Sequence, residues 1–140
     1  MTKEIHFEPV NEENVSDVYE YIFAPWVKAM GLTDLRAGNG QATALLPQNG
    51  ALQWANGAIC GQAIMSAIDT VVSLAMHTRE RPSKGTASQN TQFLRRAVGD
   101  DLRIEAQVLK FGSTIAYAEA RVTFATNGEL VAHSTAEFVF

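Results

Sequence analysis

The chain is poor in cysteine, holding only Cys60 in 140 residues. That excludes an intramolecular disulfide and any cysteine-cluster zinc site, and makes a reducing cytosol the simplest compartment, so a cytoplasmic location is expected. It also lacks a long hydrophobic run. The least charged stretch, residues 49–68, is interrupted by Gln53, Asn56 and Gln62, and the leading MTKEIHFEPV has no apolar signal region. Neither a membrane span nor a secretory leader is expected. Positive charge is not in excess: 11 Lys and Arg stand against 15 Asp and Glu, a net charge of -4. Nothing therefore draws the chain as a whole to nucleic acid or to an anionic membrane. The three histidines, His6, His77 and His133, have no metal-ligand spacing, and neither a metal nor another cofactor is expected. What is present, 46% apolar, 19% charged and 9% aromatic residues, is the composition of one domain over 1–140. A chain of this length buries roughly 70% of its extended surface, enough for a core without staples.

Apolar residues at steps of three and four, among them Val15, Val18, Tyr19, Ile22, Trp26 and Met30, predict a helical segment within residues 1–31. Pro25 should divide it into two short pieces, and Gly31 should end it. Residues 34–37 and 41–46 flank Gly38-Asn39-Gly40 and read as a hairpin, closed by Pro47. From 57 to 77 the sequence GAICGQAIMSAIDTVVSLAMH contains no proline and is too long for a single strand, so it reads as a helix. Its polar residues Gln62, Ser66, Asp69, Ser73 and His77 fall within roughly 60° of arc. A stripe with one carboxylate among hydroxyls and an amide suits an interior face, a subunit contact or a cleft. After the charged loop TRERPSKG, the alternating runs 86–94, 102–108, 116–124 and 130–140 read as antiparallel strands, with Asn127-Gly128 as a two-residue turn. Thr86, Ser88, Asn90 and Gln92 should share one face of the first of these. The fold class is α+β: a long helix wrapped by an antiparallel sheet of five or six strands.

Asp69 is the first chemical candidate, because a carboxylate on a mostly apolar helix suits a general base or nucleophile. The second is the helix start near Gly57, Cys60 and Gly61, whose free N–H groups can polarise a carbonyl while glycine allows close approach. With the helix beginning near Cys60, Gly61 and Asp69 can border one cleft. Close helix packing would explain the glycines equally well. Cys60 itself has apolar flanks and reads as a structural thiol rather than a nucleophile. Arg79, Arg81, Lys84, Arg95 and Arg96 lie close in sequence, with Lys110 on a later strand, and together could receive phosphates.

The pieces CGQAIMSAIDTVVSLA, TASQNTQFLRRA, LRIEAQVLKFGSTIAYAEARV and NGELVAHSTAEF, in this order over residues 56–140, resemble the hotdog-fold acyl-CoA thioesterases of the phenylacetic-acid-degradation type, within the 4-hydroxybenzoyl-CoA thioesterase superfamily. The resemblance implies a hotdog fold and active sites built between paired subunits. It implies that Asp69 is the acidic residue that activates water or attacks the thioester carbonyl, and that the Gly61 N–H polarises the thioester oxygen. Thr86 would supply a hydroxyl that positions water, from the opposite subunit. Arg95, Arg96, Gly112 and Ser113 would contact the nucleotide and pantetheine portions of coenzyme A. Cys60-Gly61-Gln62 stands where the family has His-Gly-Gly, so Cys60 and Gln62 border the substrate, and Asn56 offers an amide near the thioester.

The function expected is hydrolysis of an acyl-CoA thioester. A non-catalytic acyl-CoA or acyl-carrier binding protein is the alternative. Hydratase chemistry on a related scaffold is disfavoured, since no histidine lies between His6 and His77. A six-stranded sheet leaves two open edges, so a homodimer is expected, assembling further to a homotetramer.

Overall fold

A computed structural model describes residues 8–140. His6 and the beginning of the predicted 1–31 segment lie outside the described residues. The elements are α1 (Val15–Ile22), α2 (Pro25–Lys28), β1 (Thr33–Gly38), β2 (Gln41–Leu46), a 3-10 turn at Gly50–Leu52, α3 (Gly61–Met76), β3 (Gly85–Phe93), β4 (Leu102–Phe111), β5 (Ile115–Phe124) and β6 (Leu130–Val139). Pro25 divides the N-terminal helix as expected, because it opens α2 at a position where an N–H has no intrahelical acceptor. The β1–β2 hairpin turns on Asn39 and Gly40, at φ 53° and 75°, a pair of left-handed conformations that Asn-Gly tolerates.

The strands form one antiparallel sheet in the order β1-β2-β4-β5-β6-β3, leaving β1 and β3 as its edges. The helix α3 packs on one face of it. Ten of its 16 residues are buried, including Ile64, Ile68, Val71, Val72 and Leu74, and the sheet meets them with alanines such as Ala44, Ala106, Ala118, Ala120 and Ala132. Small side chains on the strands let the helix approach closely, and each large aliphatic side chain buried this way stabilises the fold by roughly 1.5–3 kcal/mol. This is the hotdog arrangement, with six strands.

Three local expectations change. The helix begins at Gly61 rather than 57, because Asn56 and Gly57 form a turn. Gly57 sits at φ +86°, its N–H donates to the Trp54 carbonyl at 2.9 Å, and Asn56 Oδ1 accepts from the Ala58 N–H at 3.0 Å. The Asn127-Gly128 connection is not a two-residue turn. Phe124 donates to the Glu129 carbonyl at 3.0 Å, and Asp100 Oδ2 accepts the Thr126 N–H at 2.8 Å, so the loop between them holds four residues. Finally, Thr86 does not share a face with Ser88, Asn90 and Gln92. The β3–β6 register slips between Thr86 and Ser88, pairing Thr86 with buried Phe138 but Ser88 with Glu137. A bulge at Ala87 thus turns Thr86 toward α3 and leaves the other three facing away.

Candidate active site

The bulge has a chemical result. Thr86 Oγ1 donates to Asp69 Oδ1 at 2.6 Å, a short charge-assisted hydrogen bond on a half-exposed carboxylate in the middle of α3. The second oxygen, Oδ2, accepts nothing among the described residues and remains available to water or substrate. The two groups come from one chain, so Thr86 stands beside its own Asp69 and not opposite it.

The start of α3 is the second half of the site. Leu52 accepts the Cys60 N–H at 2.8 Å and Ala97 accepts the Ile59 N–H at 3.0 Å, which fixes the chain as it turns into the helix. Cys60, extended at φ -69° and ψ 152°, is the N-cap and gives no side-chain cap. The first helical N–H groups, at Gly61, Gln62 and Ala63, therefore point out of the helix end without an acceptor among the described residues. Gly61 opens on a cleft of about 390 Å³ whose walls include Trp54, Phe93, Leu94, Arg95 and Arg96. Added to Gly61, a Cβ would lie 3.3 Å from the Phe93 ring, so glycine keeps the space in front of this N–H open. Trp54, Phe93 and Leu94 are 57%, 49% and 53% exposed, an apolar surface that a bound molecule or a partner subunit would cover.

Asp69 does not line this cleft. It lies eight residues after Gly61 on the same straight helix, which at about 1.5 Å per residue is a rise of roughly 12 Å. One carbonyl carbon cannot lie within reach of both, so the expectation that a chain's own Gly61 and Asp69 border one cleft is corrected.

The remaining candidates separate by position. Arg96 lines the cleft and has no acidic partner among the described residues, while Arg95 is tied down, donating to the Leu130 carbonyl at 2.8 Å and pairing with Glu129 at 3.3 Å. Arg79 and Arg81 are at the other end of α3, on the β4–β5 turn: Arg79 donates to the Gly112 carbonyl at 3.2 Å and Arg81 to that of Ser113 at 2.6 Å. The basic residues adjacent in sequence thus form two groups at opposite ends of the helix, and Gly112 and Ser113 belong with the group remote from Gly61. Cys60 is half-buried against the core, Gln62 is exposed beside the free N–H groups, and Asn56 uses its carbonyl oxygen in the turn and lies outside the cleft. No cluster of metal-ligating side chains occurs among the described residues.

The model of the thioesterase superfamily matches residues 56–131, which include both halves of the site, and the chain belongs to that superfamily. Among solved structures it is similar to conserved protein PA5202 from Pseudomonas aeruginosa, at 26% identity over 86% of this chain and 96% of that one, with a TM-score of 0.78. Zebrafish thioesterase superfamily member 2 superposes with a TM-score of 0.83 at 23% identity, over 93% and 98% of the two chains. The Escherichia coli PaaI protein from the phenylacetic acid degradation operon does so at 0.79 and 20% identity, over 91% and 90%. No curated protein sequence matches the chain.

Proposed function

We propose that the protein hydrolyses an acyl-CoA thioester to a free acid and coenzyme A. The observation that carries this reading is the Asp69–Thr86 hydrogen bond, made on a helix with no other charged side chain by a threonine that a bulge turns out of its alternating pattern. Thr86 holds one carboxylate oxygen. The other takes a proton from water as the water oxygen attacks the thioester carbonyl, and returns it to the coenzyme sulfur as the C–S bond breaks; alternatively it attacks that carbon itself, expelling the thiolate and leaving a mixed anhydride that water then hydrolyses to the free acid and Asp69. In either route the Gly61 N–H, at a helix N-terminus, stabilises the oxyanion that forms.

Because a chain's Gly61 and Asp69 lie too far apart, the two halves come from two chains. Asp69 is anchored to Thr86 near one end of β3 and Gly61 packs on Phe93 at the other. β3 is an open edge, and antiparallel pairing with a second copy about its midpoint would set Thr86 against the partner's Phe93. Each homodimer then has two composite sites, and dimers pair into a cytoplasmic homotetramer. Arg96 of one chain, with Gly112 and Ser113 of the other, receives the nucleotide and pantetheine, Arg95 being held by Glu129 and the Leu130 carbonyl, and Cys60 and Gln62 border the thioester.

Purified protein given short, medium and aromatic acyl-CoAs should release free thiol, and Asp69→Ala should lose nearly all of that activity. Equal rates for the two proteins would refute the mechanism.

A further inference from the structure

The β4–β5 turn presents an unusual arrangement of its peptide groups. A Cβ at Gly112 would collide with the Ile115 carbonyl oxygen, so only glycine permits this close a return. All three carbonyls of residues 112–114 are engaged: Gly112 by Arg79, Ser113 by Arg81 and Thr114 by the Phe140 N–H at 2.8 Å. The N–H groups of Gly112, Ser113 and Thr114 have no acceptor among the described residues. The peptides 112–113 and 113–114 thus have their negative ends neutralised and their positive ends unpaired, with the unpaired Gly112 N–H beside them, an arrangement that binds anions.

The two arginines are themselves fixed. The Arg79 guanidinium carbon lies 4.9 Å from the Phe111 ring centre and 4.6 Å from that of Phe140, and the two rings meet edge-on at 6.5 Å. Arg81 lies 5.9 Å from the Phe140 ring. Neither makes an ion pair with an acid among the described residues. Their charge remains uncompensated beside the turn, where Lys110 precedes Phe111.

We propose that Arg79 and Arg81 are positioning residues that hold the β4–β5 turn with its N–H groups outward to receive a phosphate of the thioester substrate. This rests on the acyl-CoA reading above. They act on the phosphate-bearing end alone and leave the reacting carbonyl untouched. Arg79 needs its planar fork between two rings as well as its charge, so lysine should replace it poorly.

The test compares an acyl-CoA with the same acyl group on N-acetylcysteamine, which keeps the thioester and lacks every phosphate. For Arg79→Lys and Arg81→Gln, KM for the acyl-CoA should rise by about tenfold with kcat unchanged, and kcat/KM for the truncated thioester should stay at the wild-type value. Arg81 is exposed, so its variant keeps the test available if Arg79→Lys folds poorly. An unchanged KM for acyl-CoA, or an equal loss on both thioesters, would overturn the proposal. If the wild type turns over neither thioester, the hydrolase reading fails by itself, and titration with coenzyme A decides the clamp. Weaker binding by both variants supports it, whereas equal binding, or no binding by the wild type, refutes it.

Discussion

The proposed mechanism draws the Gly61 N–H and the Asp69 carboxylate of each site from different chains, and this can be tested directly. Gly61→Pro deletes that one N–H at the first position of α3, where proline's fixed φ suits a helix. The added ring presses on Phe93, 3.3 Å from the new Cβ, but that side chain is half-exposed and can turn away. Gly61→Ala brings the same Cβ and keeps the N–H, so the difference between the two variants isolates the donor. It should be about 10²–10³ in kcat, the effect of removing one oxyanion donor. Asp69→Ala removes the other half. A heterodimer of Gly61→Pro with Asp69→Ala, purified through two different affinity tags, contains one site with both defects and one with neither. It should show about half of the wild-type thiol release per dimer, although each parent homodimer is nearly inactive. If both groups served a site within one chain, every site in the heterodimer would carry a defect. A heterodimer no more active than its parents would therefore refute the shared site and the 12 Å argument behind it.

Two further outcomes follow from single side chains. Thr86→Val keeps the shape and removes the hydroxyl that holds Asp69. It should lower kcat by about tenfold to a hundredfold, the equivalent of one hydrogen bond to a charged group, whereas Thr86→Ser should retain most of the activity in the same thiol-release assay. Gly112→Ala forces a Cβ against the Ile115 carbonyl and should lower stability by about 1–3 kcal/mol in urea unfolding, with Gly50→Ala, which meets open space, as the control.

The architecture was legible because its signals are periodic and strong. α3 declared itself by length and by the stripe around Asp69, and the strands by alternation. The site was harder, for three physical reasons. Alternation assumes a constant period of two, so a single extra residue at Ala87 is invisible in sequence although it decides which way Thr86 points. Proximity in sequence misled for the cations: Arg81 and Arg95 flank β3, whose nine residues at about 3.4 Å each separate them by roughly 30 Å. Nor does the sequence show which arginines are already engaged, as Arg95 is by Glu129 and the Leu130 carbonyl. Asn56-Gly57 could have been read as a turn that delays the helix, since an Asn side chain readily accepts from the N–H two residues on.

The substitution of Cys60 for the family's histidine bears less on catalysis than its position suggests. In the proposed mechanism the group that faces the developing oxyanion is a backbone N–H, and its direction is set by the start of α3, not by the side chain of the capping residue. That start is fixed by hydrogen bonds to Leu52 and Ala97, neither of which involves the thiol. What residue 60 changes is the packing at the start of α3: a half-buried sulfur packed on the core stands where the resemblance has a polar ring, and exposed Gln62 adds bulk where it has a second glycine. Both residues flank Gly61 in sequence without themselves lining the cleft of Trp54, Phe93 and Arg96, and neither touches the Asp69–Thr86 pair. Under the proposed mechanism the chain's departures from the family pattern thus leave in place the groups that would move protons and stabilise charge, the Asp69–Thr86 pair and the free N–H groups at the start of α3.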